Sequence, residues 1–259
     1  MPLQIDVSLS YLTAPGTDIL AQVQVAQMPD QTVFNATLDI PNARDRAEVT
    51  AENHVGVRTW VQADGQFDCT YSARVGIDRP EPDLAQLPFI PPHQLPGETV
   101  RFLMPSRYCP SDKFFSFVGA EFGQTMGGAR VVAIRDWIAE RIAYMPGTSS
   151  PLTTALDTFV ERRGVCRDFA HMFITLCRAS TVPARFVSAY GPDVTPQDFH
   201  AVAEVWLGDA WHLVDCTGMS RPGELARIGV GLDAAEVAFL TSFGPVTLQT
   251  QTVSVQRVD

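Results

Sequence analysis

The chain has 259 residues, 46% hydrophobic and 19% charged, enough apolar mass for one large domain or two smaller ones with real cores. The formal net charge is −10, which argues against nucleic acid or an anionic membrane as the main partner. No apolar run is long enough to span a bilayer, and Met1-Pro2-Leu3-Gln4-Ile5-Asp6 has neither the positive start nor the apolar stretch of a signal peptide, so a cytoplasmic location is expected.

From Leu3 to about Ile77, short alternations such as Ile19-Leu20-Ala21-Gln22-Val23-Gln24-Val25 predict strands without helical stripes. They define an N-terminal, β-sandwich-like domain over residues 1–78. Residues 79–110 hold Pro80, Pro82, Pro88, Pro91, Pro92 and Pro96, which oppose regular structure, and read as a connector. Residues 111–259 form the second domain.

Within it, Gly128 to Tyr144 carries Val131, Ile134, Ile138 and Ile142 at helical spacing. Thr153 or Thr154 caps the next predicted helix, which passes Leu156, Phe159 and Val160 and stops at Gly164. A third helix begins at Cys166 and puts Cys166, Ala170, Phe173 and Cys177 on one face, which makes Cys177 a buried packing residue. His200 to Leu207 and Ala210 to Thr217 read as a hairpin closed by Gly208-Asp209. Further on, Asp233-Ala234-Ala235-Glu236 has the form of a capping box ahead of a short helix, and residues 246–255 form a strand that can close the sheet.

A cysteine in the first turn of a helix meets unpaired backbone N–H groups and the positive end of the helix dipole, both of which favour thiolate. A two-residue loop at Gly208-Asp209 pairs Leu207 with Ala210, Trp206 with Trp211, Val202 with Asp215 and His200 with Thr217. His200 and Asp215 are then diagonal neighbours on one face, within reach of each other. Cys166 as nucleophile, His200 as base and Asp215 as orienting acid are the groups that thiol chemistry needs. Cys216 faces away from Asp215, His171 lies off the nucleophile's helical face, and His212 lies on the face opposite Asp215.

Gly164-Val165-Cys166-Arg167-Asp168-Phe169-Ala170, Val182-Pro183-Ala184-Arg185, His200-Ala201, and Trp211 followed by Asp215-Cys216-Thr217 resemble the core of the transglutaminase-like superfamily, related to the papain-type cysteine proteases. Pro105-Ser106-Arg107-Tyr108-Cys109 and Arg227 to Ala235 resemble a bacterial branch with an added N-terminal β-domain. The superfamily often shows His-Ala-Trp and Asp-Pro-Thr where this chain has His200-Ala201-Val202 and Asp215-Cys216-Thr217; no triad member is lost. The resemblance implies an α+β fold with a papain/transglutaminase-like core of helices packed on an antiparallel sheet. It also implies a peptide or protein substrate and a thioester that passes to water or to an amine, with peptide or amide hydrolysis preferred. Cys109, like Cys69, Cys177 and Cys216, reads as a packing residue, to which the resemblance adds lining the site or serving the domain junction as alternatives.

For the oxyanion, the Cys166 N–H is a natural donor, and Tyr108, Tyr144 or Trp137 can supply a side chain; the sequence does not choose among them. Asp168 either stabilises the first helical turn or helps position the acyl group. No cofactor is called for, and no His, Cys and Asp spacing forms a credible metal site. The reading from another class is a non-catalytic module that binds a peptide or partner in the same fold. A redox-sensing thiol has no resolving cysteine beside Cys166.

Overall fold

The computed structural model describes residues 2–258. In chain order its strands and helices are β1 (Leu3–Thr13), β2 (Thr17–Ala21), β3 (Gln31–Asp39), β4 (Ala43–Thr50), β5 (Val57–Ala63), β6 (Gln66–Ile77), α1 (Gly97–Val100), α2 (Phe115–Phe122), α3 (Gly127–Arg141), β7 (Ala143–Tyr144), α4 (Ala155–Glu161), β8 (Arg163–Gly164), α5 (Cys166–Ala179), β9 (Ala184–Tyr190), β10 (His200–Leu207), β11 (Ala210–Val214), β12 (Ala226–Gly231), β13 (Leu240–Ser242) and β14 (Val246–Arg257).

The N-terminal strands build two four-stranded antiparallel sheets, ordered β14-β1-β6-β3 and β13-β2-β5-β4. Alternation is clear in β1, where Leu3, Ile5, Val7, Leu9 and Tyr11 are buried. They share a core with Phe67, Cys69, Tyr71 and Ala73 of β6 and with Ile19 and Val61 from the other sheet. Here the expected boundary needs correction. β14 pairs with β1 along its length and β13 pairs with β2, so residues 240–257 belong to the N-terminal sheets, not to the second domain's sheet. The reason is the free edge of β1, whose backbone groups need a partner.

The second sheet region is antiparallel, ordered β11-β10-β9-β12. One face, through Ala184, Phe186, Ala201, Ala203, Val205 and Leu207, packs against α5, which in turn meets α2, α3 and α4. The other face, through Val187, Ala189, Val202, Leu213 and Val230, is covered by Ala26, Met28 and Val55 of the N-terminal region. Enclosed on all sides, α5 is buried almost from end to end.

The proline-rich stretch is a fitted strap with short turns at Leu84–Gln86 and Pro92–Gln94. Gly128 shows how closely it lies on α3, since a Cβ there would sit 1.6 Å from the Leu84 carbonyl oxygen. Two helical expectations are revised. α3 stops at Arg141 because Ala143 and Tyr144 leave it to pair with Arg163 and Gly164. The segment after Asp233 is a single turn, because Asp233 and Glu236 spend their carboxylates on the N–H groups of Ala235 and Leu232 before the chain enters β13. Among the described residues, no helix is long and apolar enough to cross a membrane.

Candidate active site

Cys166 opens α5, and the residues around it explain the local motif. Asp168 is buried and accepts from the Val165 N–H (2.9 Å), so it caps the helix start. Gly164 leaves room for that cap: a Cβ there would lie 2.7 Å from the Asp168 Cβ. Ser149 Oγ donates to the second Asp168 oxygen (2.9 Å), and Arg167 Nη2 donates to Ser149 Oγ (2.5 Å), Ser150 O (2.6 Å) and Asp168 (3.3 Å). The cap thus also ties down the 145–154 loop beside Cys166. Asp168 holds the turn and, fully buried, is not placed to touch an acyl group.

His200 starts β10. Its Nε2 lies 2.9 Å from Asp215 Oδ2, with both side chains almost wholly buried. Asp215 also accepts from the Thr217 N–H (2.8 Å) and hydroxyl (2.6 Å) at Oδ1, and from the Ser220 N–H (3.0 Å) at Oδ2. Burial would raise its pKa, but these bonds outweigh that and hold it below the ordinary carboxylate value. An ionised carboxylate only accepts, so His200 Nε2 carries the proton on the Asp215 side.

The hairpin delivers this pair. Gly208 and Asp209 both take positive φ, 53° and 64°, as a two-residue type I′ turn needs. Leu207 to Ala203 pair with Ala210 to Val214 in the expected register. The ladder then ends: Val202 with Asp215 and His200 with Thr217 are not strand pairs, because Asp215 to Ser220 form a turn organised around the carboxylate. The bonds of Thr217 and Ser220 to Asp215 escaped the sequence reading; Asp-x-Thr-Gly, with Gly218 at φ 69°, is the turn signal that could have revealed them.

His200 Nδ1 is buried and makes no well-aligned hydrogen bond, yet Cys166 is near enough to act on the ring. Burial works against the imidazolium; the bond to Asp215 and the neighbouring Cys166 outweigh it and raise the His200 pKa from 6.5 to about 9. Such a bond tightens when substrate arrives.

Of the side-chain oxyanion candidates, one reaches Cys166. The β7–β8 bridge sets Tyr144 opposite Gly164, and its hydroxyl pKa is raised by burial and then by the Cys166 thiol, against the opposing effect of the Cys166 backbone. Tyr108 instead donates its hydroxyl to Pro151 O (2.7 Å) and stacks on His171 (5.0 Å). Trp137 sits among Phe117, Phe122 and Phe159 under the Arg162 guanidinium. Both candidates are corrected to packing residues, since their rings complete aromatic clusters and the Tyr108 hydroxyl is spent on Pro151. Cys109 is likewise wholly buried, with burial lifting its pKa to about 12. His171 accepts from the Ala234 N–H (3.1 Å), and burial lowers its pKa to about 3. His212 Nε2 bonds Leu207 O (3.1 Å).

A cavity of about 480 Å³ opens between the strap, α3 and β11, but it is lined by Arg79, Arg135, Trp211 and His212 and not by Cys166, His200 or Asp215. Among the described residues, no group of three or more His, Cys, Asp and Glu side chains is arranged to hold a metal ion.

A helix-start cysteine facing a strand-borne, carboxylate-bound histidine on a separate antiparallel sheet defines the papain/transglutaminase architecture. The family model of the transglutaminase-like superfamily matches residues 118–216. A solved structure from Cytophaga hutchinsonii, described as a candidate cysteine protease, superposes with a TM-score of 0.93 at 30% identity, covering 100% of this chain and 91% of that one. An uncharacterized Mycobacterium leprae protein, ML0607, is 30% identical over 146 residues, 52% of each chain, so the match spans about half the length of that curated relative. The chain belongs to the transglutaminase-like superfamily.

Proposed function

We propose that the protein is a cysteine-dependent acyl-transfer enzyme that hydrolyses a peptide or amide bond. The observation that carries this reading is the His200–Asp215 pair, fixed by three further donors to Asp215, with Cys166 at a helix start near enough to act on the imidazole. Its likeness to the Cytophaga hutchinsonii protein points the same way.

In this mechanism Cys166 sulfur attacks the carbonyl carbon while His200 Nδ1 holds the thiol proton, and Asp215 stabilises the imidazolium. The Cys166 N–H and the Tyr144 hydroxyl donate to the oxyanion. Collapse breaks the C–N bond and His200 protonates the departing amine, leaving a thioester on Cys166. Water, deprotonated by His200, attacks the thioester; the acid leaves and the thiol is restored. An amine in place of water would give transamidation from the same intermediate.

The test is alkylation of Cys166, followed by peptide mapping across pH 5–9 in the wild type and in His200→Ala. The wild type is expected to react at Cys166 ahead of the other four cysteines already at pH 6, and the variant to lose that reactivity at low pH. Equal pH profiles in the two proteins would overturn the reading.

A further inference from the structure

A second cavity, of about 460 Å³, is lined by Phe117, Glu121, Trp137, Arg141 and Arg162, and by none of Cys166, His200 and Asp215. Arg162 caps the end of α4 in the left-handed region, at φ 57° and ψ 30°, where glycine or asparagine is the ordinary occupant. Its N–H donates to Thr158 O (2.9 Å) and its C=O accepts from the Ala143 N–H (2.8 Å), so both backbone groups are fixed. The cap itself therefore has no use for a guanidinium. That group lies over the rings of Phe159 (4.3 Å) and Trp137 (4.8 Å), which hold a cation but offer its N–H groups no lone pair. Nη1 is buried without an acceptor, and among the described residues nothing bonds the other two nitrogens. Arg141, at the end of α3, is exposed and likewise has no ion pair or side-chain hydrogen bond among the described residues. By contrast, Arg79, Arg185 and Arg227 are all paired with carboxylates.

We propose that this cavity binds a small organic anion, a carboxylate or phosphate group carried on an aromatic body. Two guanidinium groups without acceptors offer an oxyanion charge-assisted, bidentate bonds. Arg162, fixed at its backbone and seated on two rings, is ordered before a ligand arrives, which lowers the entropic cost of binding. The volume lies in the range of small-molecule sites and exceeds what the anion alone would fill, so Phe117 and Trp137 provide the apolar wall for the rest of the ligand. Against two cations the lining holds one acid, Glu121, which makes no ion pair among the described residues. The cavity is therefore locally positive in a chain whose net charge is −10. The site does not depend on the acyl-transfer reading of Cys166.

Isothermal titration of the full chain with phenyl phosphate, benzoate and the neutral benzyl alcohol tests this. At least one of the two anions is expected to bind one to one with a Kd on the order of 1 mM or tighter, and benzyl alcohol far more weakly. Whichever anion binds more tightly identifies the headgroup. Arg162→Gly removes the guanidinium and suits the left-handed backbone, so its melting temperature should hold or rise while anion affinity falls at least about tenfold. Arg141→Gln, at an exposed position, should weaken both anions several-fold, and Glu121→Gln should strengthen them by removing the one negative charge. Added salt should weaken binding in the wild type. Absence of binding by either anion up to about 10 mM overturns the proposal, as does benzyl alcohol binding as well as the anions. Affinity within about twofold of wild type in Arg162→Gly or Arg141→Gln also overturns it and leaves Arg162 a packing cation over Trp137 and Phe159.

Discussion

His200 keeps its proton to about pH 9 because Asp215 and Cys166 overcome the cost of burying the charge. The linkage to stability follows in sign. A folded-state pKa above the ordinary 6.5 contributes stability that is fully present below about pH 6.5 and lost as pH rises through about 9. Asp215 runs the other way: its lowered pKa contributes above the ordinary carboxylate range and is lost on acidification. Thermal unfolding of wild type and His200→Ala should therefore differ most near pH 6 and converge towards pH 10. A difference that grows with pH would contradict the ion-pair assignment. Asp215→Ala should slow Cys166 alkylation at pH 7 while leaving Cys69, Cys109, Cys177 and Cys216 protected, since all four are buried.

At the scale of elements, the start of α5 and the loop before β10 carry the site, and each is braced from elsewhere. Asp168→Ala would leave the Val165 N–H unpartnered and release Ser149 and Arg167. It should cost about 1–3 kcal/mol in denaturant unfolding and also slow Cys166 alkylation, because the 145–154 loop bearing Met145 and Leu152 loses its anchor. The 191–199 loop is clasped by β14: Gln197 Oε1 accepts from the Val255 N–H (2.5 Å), and Arg257 reaches Asp193. Phe199 stacks on Phe239 at 4.2 Å. Arg257→Ala removes an exposed pair whose stability contribution is ordinarily about 0–1 kcal/mol. Thermal scans should barely register it, while hydrogen exchange in residues 192–199 should rise.

Across the whole molecule, a buried charge network joins the parts. Glu204 on β10 binds Arg185 Nε (2.7 Å) and Arg227 Nη1 (2.7 Å). Arg227 continues to Asp30 in the N-terminal region, and Asp30 binds Arg79 of the strap (2.6 Å). Burial would raise the Glu204 pKa, but Arg185 and Arg227 hold it down. Glu204→Ala strands the Arg185 guanidinium, leaves Arg227 with Asp30 alone, and should cost about 3–5 kcal/mol. With the sheet's second face covered by N-terminal residues, unfolding should remain one transition in calorimetry, and two separated transitions would show that the sheets and the thiol core fold independently.

The sequence by itself determined what local pattern can encode. The alternation in β1, the helical spacing of Val131, Ile134 and Ile138, the cap of α4 and the two-residue turn at Gly208-Asp209 all act between near neighbours; that turn sets the register of β10 and β11, and Asp215 then leaves the ladder for its own turn with Thr217 and Ser220. Only the tertiary structure decided the rest, because it depends on distant partners. The edge of β1 takes the last strand of the chain, and Glu236 answers the distant Arg101 as well as the Leu232 N–H instead of starting a helix. Tyr144, not Tyr108 or Trp137, meets Cys166 because a two-residue bridge to Gly164 draws it from the end of α3. That competition between helix continuation and a long-range pairing carries no signature in one segment.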